Sequence, residues 1–220
     1  MLFGGDWFAL LLALPGLLYA LVFHEYAHGR VADALGDPTP RQAGRLTLEP
    51  WPHLDPIGTI ALLLFRFGWA KPMPVDPRYF RWPRSGLIMV AAAGPAANLV
   101  FAFFMFGAGA VVSVVPLLSG IPYLVTIFQS GAIISVYLAV FNLIPIPPLD
   151  GSQVLGSLLT PRWAMAYQRL ATYGMIILIL LLVTSVAADV LTPIVIGLAN
   201  GLNDGAVAVV GGLAHVMGVS

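Results

Sequence analysis

Five residues of this chain have the types and spacing for metal chemistry: His24-Glu25-Tyr26-Ala27-His28. Two histidines four apart on a helix share a face, so both imidazoles can hold one zinc ion, and the glutamate between them then lies beside a metal-bound water. Two imidazoles do not complete such a site. A catalytic zinc takes three protein ligands and leaves its fourth position to water or substrate, so a carboxylate from elsewhere in the chain is required. No cysteine is present, which removes thiolate ligands, disulfides and cysteine nucleophiles together. The short motif also arises by chance, and most histidines on apolar helices are hydrogen-bonded core residues.

The elements that must position these residues belong in a bilayer. Of the 220 residues, 59% are hydrophobic and only 9% charged, against about a quarter charged in a soluble domain. The formal charge is zero and no basic run is present, so nucleic acid is excluded as a partner. From Trp7 to Phe23 nothing is charged, and the helical pattern continues through His28 to about Leu35, where Gly36, Asp37 and Pro38 stop it. Met1 to Asp6 carries no Lys or Arg and the run outlasts a signal-peptide core, so it reads as a retained helix, kinked at Pro15. Gly86 to Val115 and Tyr123 to Leu143 form two further spans, antiparallel across a tight turn at Ser119 to Pro122, and Leu170 to Val190 a fourth. The Gly-rich tail from Thr192 to Ser220 is apolar without declaring itself a span.

Between the first two spans, Arg45 to Glu49 alternates polar and apolar, the period of a half-buried strand that Pro50 and Pro52 end. Ile57 to Phe67 is apolar but too short for a bilayer of about 30 Å, which suits a re-entrant segment. The expected fold class is therefore an all-α polytopic membrane protein. It has about four to five transmembrane helices, with a short membrane-associated β-hairpin and a re-entrant segment after the first span, in a single domain over residues 1–220.

With four spans so placed, all ten Arg and Lys residues fall on one side, and the positive-inside rule puts that side in the cytoplasm. His24 then lies about 25 Å along the helix from Trp7, in the cytoplasmic half of the bilayer. Ionisable groups there cost roughly 2 to 3 kcal/mol each, which favours a functional reason for them. The third span ends in Asn142-Leu143-Ile144-Pro145-Ile146-Pro147-Pro148-Leu149-Asp150-Gly151, where the prolines forbid helix and an extended stretch at membrane depth is expected. Asp150 reaches the same side and depth as the histidines and is the natural third ligand. Its bland alternative is a turn, or the cap of a short helix Ser152 to Leu159.

Taken together, these residues resemble the site-2 protease family of intramembrane zinc metalloproteases. The likeness rests on HEYAH at 24 to 28, Gly94-Pro95-Ala96-Ala97-Asn98, and the stretch from Asn142 to Leu149-Asp150-Gly151, with further similarity in GRLTLEP at 44 to 50 and HLDPIG at 53 to 58. It points to a compact prokaryotic member without PDZ or CBS domain. The resemblance implies that His24, His28 and Asp150 bind zinc, that Glu25 is the general base, and that the substrates are membrane-spanning helices of other proteins, cut within the bilayer of the cell membrane. Asn142 and Asn98 are candidates to donate to the oxyanion, with helix-packing hydrogen bonds as the alternative. His53 is a possible additional ligand or substrate-orienting residue, or a loop cap. The expected strand from Gly44 would pair with unwound substrate. A metal-transport or metal-binding membrane protein would also place His and Asp inside spans, but it has no need of Glu25.

Overall fold

A computed structural model describes residues 7–65, 68–184 and 186–216. The chain's Met1 to Asp6, the Phe67 end of the apolar run from Ile57, and the last four residues of the tail lie outside them. In chain order the helices are α1 (Trp7–Ala34), α2 (Thr39–Gln42), α3 (Pro56–Phe65), α4 (Pro83–Val114), α5 (Pro116–Ser119), α6 (Leu124–Asn142), α7 (Asp150–Leu158), α8 (Pro161–Gln168), α9 (Ala171–Val183) and α10 (Val186–Val216). Among the described residues four are long and apolar enough to cross a membrane: α1, α4, α6, and α10 from Ala188 onward; α8 and α9 together would make a fifth if the bent pair is one span. Helix α1 runs through Pro15 without a break, and the expected second and third spans match α4 and α6 within three residues.

Two expectations are corrected. The apolar run from Leu170 to Val190 is not one helix. It ends at Val183 in α9, whose 13 residues reach about 20 Å, and α8 meets α9 at a bend of 58°. The long uninterrupted helix is instead α10, in the tail whose glycines thin its apolar signal. The second correction is the β-hairpin: among the described residues no strand forms, and only an isolated antiparallel bridge joins Leu54 to Ala70. Backbone groups around the alternating segment go to side chains instead. The Thr47 carbonyl bonds His53 Nε2, and the Glu49 N–H donates to Thr47 Oγ1. Arg45 is buried and donates to the carbonyls of Lys71 and Pro72 at 2.7 and 3.1 Å, so its side chain, rather than a ladder, ties the two segments.

The described chain divides into two compact units. The first comprises Met1–Ala20, Asn98–Phe141 and Leu178–Ser220. Within it, Phe8 meets Tyr123 with ring centroids 5.0 Å apart, and Gly16 packs so close to Gly131 that a methyl group would overlap its Cα. Pairs 8 with 123 and 16 with 131 rise together, so α1 and α6 run parallel. Ser135 Oγ donates to the Asn98 carbonyl and Gly109 faces Phe128, an order that falls as the other rises, so α4 runs antiparallel to α6. Small residues at such crossings let helices approach without hydrophobic drive.

The second unit comprises Leu21–Ala97 and Asn142–Ile177. Ala32, Phe80 and Val90 form its buried cluster, with Val31, Leu35, Val75 and Leu87 packed against it. Buried Asp37 ties the turn after α1 to a distant loop, accepting from the N–H groups of Thr39 and Asp76. Helix α3 starts with Asp55 as its cap, accepting from the Gly58 N–H at 2.7 Å, with Pro56 in the first helical position. Ten residues reach about 15 Å, too little to cross. The Leu54–Ala70 bridge and the Lys71 N–H bond to the His53 carbonyl close this excursion at its base.

Candidate metal centre

The whole metal-ligating constellation lies in the second unit. Helical spacing puts His24 and His28 on one face of α1, both about 6% exposed, their rings edge to face with centroids 4.6 Å apart. His28 Nδ1 is 2.7 Å from the Val90 carbonyl on α4, which can only accept, so the ring proton sits on Nδ1 and Nε2 is left with a lone pair. That arrangement orients a metal-ligating imidazole.

Asp150 arrives by a different route. Pro145, Pro147 and Pro148 carry no N–H, so the backbone between Leu143 and Asp150 has few donors to satisfy. Ile146 donates to Ile144 and Leu149 to Ile146, which gives successive tight turns rather than the extended stretch expected. Tyr167 Oη holds the Pro145 carbonyl at 2.7 Å, and Gly174 lies against the Pro147 carbonyl where any side chain would overlap. Gly151 is pressed in the same way against the Leu143 carbonyl. The cap position of α7 is Leu149, which makes no side-chain cap bond; Asp150 is the first helical residue, and its carboxylate is turned to the histidines.

Whether these residues fit a metal follows from their separations. The two Nε2 atoms are 3.0 Å apart, and Asp150 Oδ2 is 3.1 Å from the Nε2 of His24 and 3.3 Å from that of His28. Donors about 2.0 to 2.1 Å from one tetrahedral zinc stand roughly 3.3 Å from each other. Asp150 Oδ2 is buried and converges on the same point as the Nε2 atoms of both rings. Gly94 closes one side of the cluster: a Cβ there would overlap Nε2 of His28 and Cε1 of both rings. Among the described residues these three are the group of His, Cys, Asp or Glu able to share an ion. The donor set fits zinc.

Glu25 follows His24 on α1, half-buried, with Oε2 shielded from solvent and free of hydrogen bonds. Its charge reaches Arg45. Burial lowers that guanidinium's pKa, and the Glu25 carboxylate works in the opposite direction. Asn142 is the last residue of α6, half-buried, eight positions before Asp150. Asn98 is fully buried in the first unit, one helical turn beyond Gly94 on α4, with its carbonyl accepting from Ser135. His53 is 1% exposed and bound through Nε2 to the Thr47 carbonyl, and it is not among the clustered donors.

Comparison with known proteins agrees with this geometry. Residues 120–184, which include the Asn142 to Asp150 stretch, match peptidase family M50. YwhC of Bacillus subtilis (strain 168) is 37% identical over 183 residues, 80% of this chain and 82% of the relative. The chain belongs to peptidase family M50. Rip2 of Mycolicibacterium smegmatis is 31% identical over 79% of this chain and 67% of its own length, and Rip2 of Mycobacterium tuberculosis (strain H37Rv) 27% over 77% and 66%. All three are named, provisionally, as zinc metalloproteases. No solved structure matches the chain. Four helices of spanning length make this M50 member a multi-pass membrane protein. Reasoning on the sequence missed two contributors to its metal centre. The Val90 carbonyl leaves no trace in residue type, whereas Gly94 stood in a noted motif with no role assigned.

Proposed function

We propose that this M50 peptidase is an intramembrane zinc metalloprotease that hydrolyses peptide bonds in the transmembrane segments of other membrane proteins. His24, His28 and Asp150 hold the metal and Glu25 is the general base. The observation that carries this reading is the convergence of three buried donors within 3.3 Å of one another, beside a glutamate whose Oε2 has no other partner.

When bound, zinc polarises the scissile carbonyl and lowers the pKa of water toward about 7. Glu25 takes the proton from the attacking water and passes it to the leaving amide nitrogen, so no covalent intermediate is needed. A metal-binding or transport role would leave Glu25 without a task. Asn142, at the end of the helix that precedes Asp150, is proposed to donate to the developing oxyanion. Asn98 is fully buried on α4, which supports packing as its role. The bond from His53 to Thr47 supports holding the loop. The reading extends to a single metalloprotease domain over residues 1–220 in the cell membrane, with the centre toward the cytoplasm. The one-sided basic residues support that orientation, as does the parallel course of α1 and α6, which brings the segments following residues 20 and 141 out at the same end.

The test is Glu25→Gln in the full chain, assayed for cleavage of a co-expressed membrane substrate and for bound zinc. Loss of cleavage by about 10²- to 10⁴-fold with zinc retained is expected. Undiminished cleavage would sink the mechanism.

A further inference from the structure

Beside the segment that delivers Asp150 the second unit holds an open cavity of about 360 Å³, within the range that takes a small ligand. Its polar wall is Arg84, Gln153, Ser157 and Gln168, and its apolar wall includes Leu87 and Leu159. Arg84 is the only charged residue in the lining, and no carboxylate faces it. Arg41 and Arg78 are paired with Asp33 and Asp76, and Arg81 lies over the Trp82 ring at 5.6 Å, whereas Arg84, Arg162 and Arg169 have no such partner among the described residues, and of these three Arg84 alone lines the cavity. A cation with neutral donors on one wall and hydrocarbon on the other fits an anionic group carried on an apolar body.

The position of the cavity selects the chemistry of that group. Trp82 and Trp163, next to the residues that open α4 and α8, are 68% and 65% exposed. Exposed tryptophans in a polytopic protein mark the depth of the lipid headgroups, where a phosphodiester is the abundant anion and acyl chains lie directly beside it. We propose that the cavity between α4, α7 and α8 is a binding site for the phosphate of an anionic phospholipid, with Arg84 as its counter-charge. Gln153, Ser157 and Gln168 donate to the remaining phosphate and headgroup oxygens. The lining also includes Pro147 and Ser152, which stand on either side of Asp150, so an occupant bears on the segment that sets the third metal ligand. The consequence for catalysis rests on the protease reading, but the binding does not, and it is read directly.

The full-length protein is reconstituted in phosphatidylcholine vesicles with trace spin-labelled phosphatidylglycerol or spin-labelled phosphatidylcholine, and the immobilised fraction of each lipid is measured. Wild type should immobilise the phosphatidylglycerol preferentially. Arg84→Gln should lower that preference about fivefold or more, and by more than Arg162→Gln, which lies outside the lining and reports the diffuse attraction of a basic side chain at a lipid surface. Gln168→Leu should weaken it to a smaller extent. Equal losses in Arg84→Gln and Arg162→Gln would mean diffuse surface attraction and overturn the site, as would an unchanged preference in Arg84→Gln. Inorganic phosphate is titrated in parallel. If it binds in pure phosphatidylcholine with the same dependence on Arg84, the ligand is a soluble phosphate and the lipid assignment fails. Bound zinc and thermal midpoint, unchanged in Arg84→Gln, confirm that the variant is folded.

Discussion

Replacing Gly94 by alanine adds one methyl group to a residue that binds nothing, yet it should dismantle the metal centre. A Cβ at this position would lie 2.6 Å from Cε1 of both His24 and His28. Carbon atoms rest at about 3.5 to 4.0 Å, so α4 or the two rings must yield by roughly 1 Å. Metal sites tolerate errors in ligand distance of about 0.2 Å, and His28 is further constrained by its bond to the Val90 carbonyl on the same helix as the new methyl. Overpacking of this kind costs about 1 to 3 kcal/mol. If that cost falls on the ion-bound geometry, zinc binding weakens by about five- to 150-fold. The measurement is competition of purified protein with zinc chelators of graded affinity, alongside cleavage of a membrane substrate. Gly107→Ala is the control on the same helix, because its Cβ would meet only the Ala206 Cβ, at 4.0 Å. Zinc affinity in Gly94→Ala equal to wild type would refute the packing argument, and a loss shared by Gly107→Ala would reduce it to general helix disturbance.

Asp150→Asn should lose bound zinc at neutral pH, by at least the 10- to 100-fold typical of lesser changes around a metal, whereas Asn142→Ala should keep zinc and lower the cleavage rate; elemental analysis with a cleavage assay separates the two. Chelation of wild type should abolish cleavage and lower the thermal midpoint, with zinc restoring both, since an ion that binds the folded state adds to its stability. Arg45→Ala strands the buried carbonyls of Lys71 and Pro72 and should destabilise by about 2 to 4 kcal/mol; an unchanged thermal midpoint would show that water replaces the guanidinium. Asp55→Ala removes the cap of α3 and should cost about 1 kcal/mol, read in the same assay.

What could be read from the sequence followed from how few explanations each feature admits. Charged and chelating groups in an apolar helix are expensive, so HEYAH needed a reason, and a run of prolines after a span forbade helix and focused attention on Asp150. Periodicity served less well where tertiary contacts override it. Arg45-Leu46-Thr47-Leu48-Glu49 alternates as a strand does, but its outermost polar residue is buried and spends its donors on two carbonyls more than 25 positions away. Continuous apolarity likewise joined α9 to the residues beyond Val183, because hydropathy registers composition and not where one helix ends and the next begins. Contributions of the backbone, such as the Val90 carbonyl on His28, are available to every residue type and so leave no mark.

The depth of the site rests on two independent lines of reasoning. The charge argument needed four correctly placed spans, and the fourth differs from the run Leu170 to Val190: α8 and α9 pass as a span only as a bent pair, and α10 is a helix of spanning length. The first three spans alone support the same proposal. Contacts of α1 with α6 run in parallel order and those of α4 with α6 in antiparallel order, so the end of α1 that carries HEYAH, the residues after Asn142, and the half of α4 that carries Gly94 all emerge at one end. Three connections therefore suffice to deliver two imidazoles, a carboxylate and the glycine that admits them. The helices after Asp150 bear on the centre through the segment that delivers it, where Tyr167 Oη holds the Pro145 carbonyl and Gly174 lies against that of Pro147.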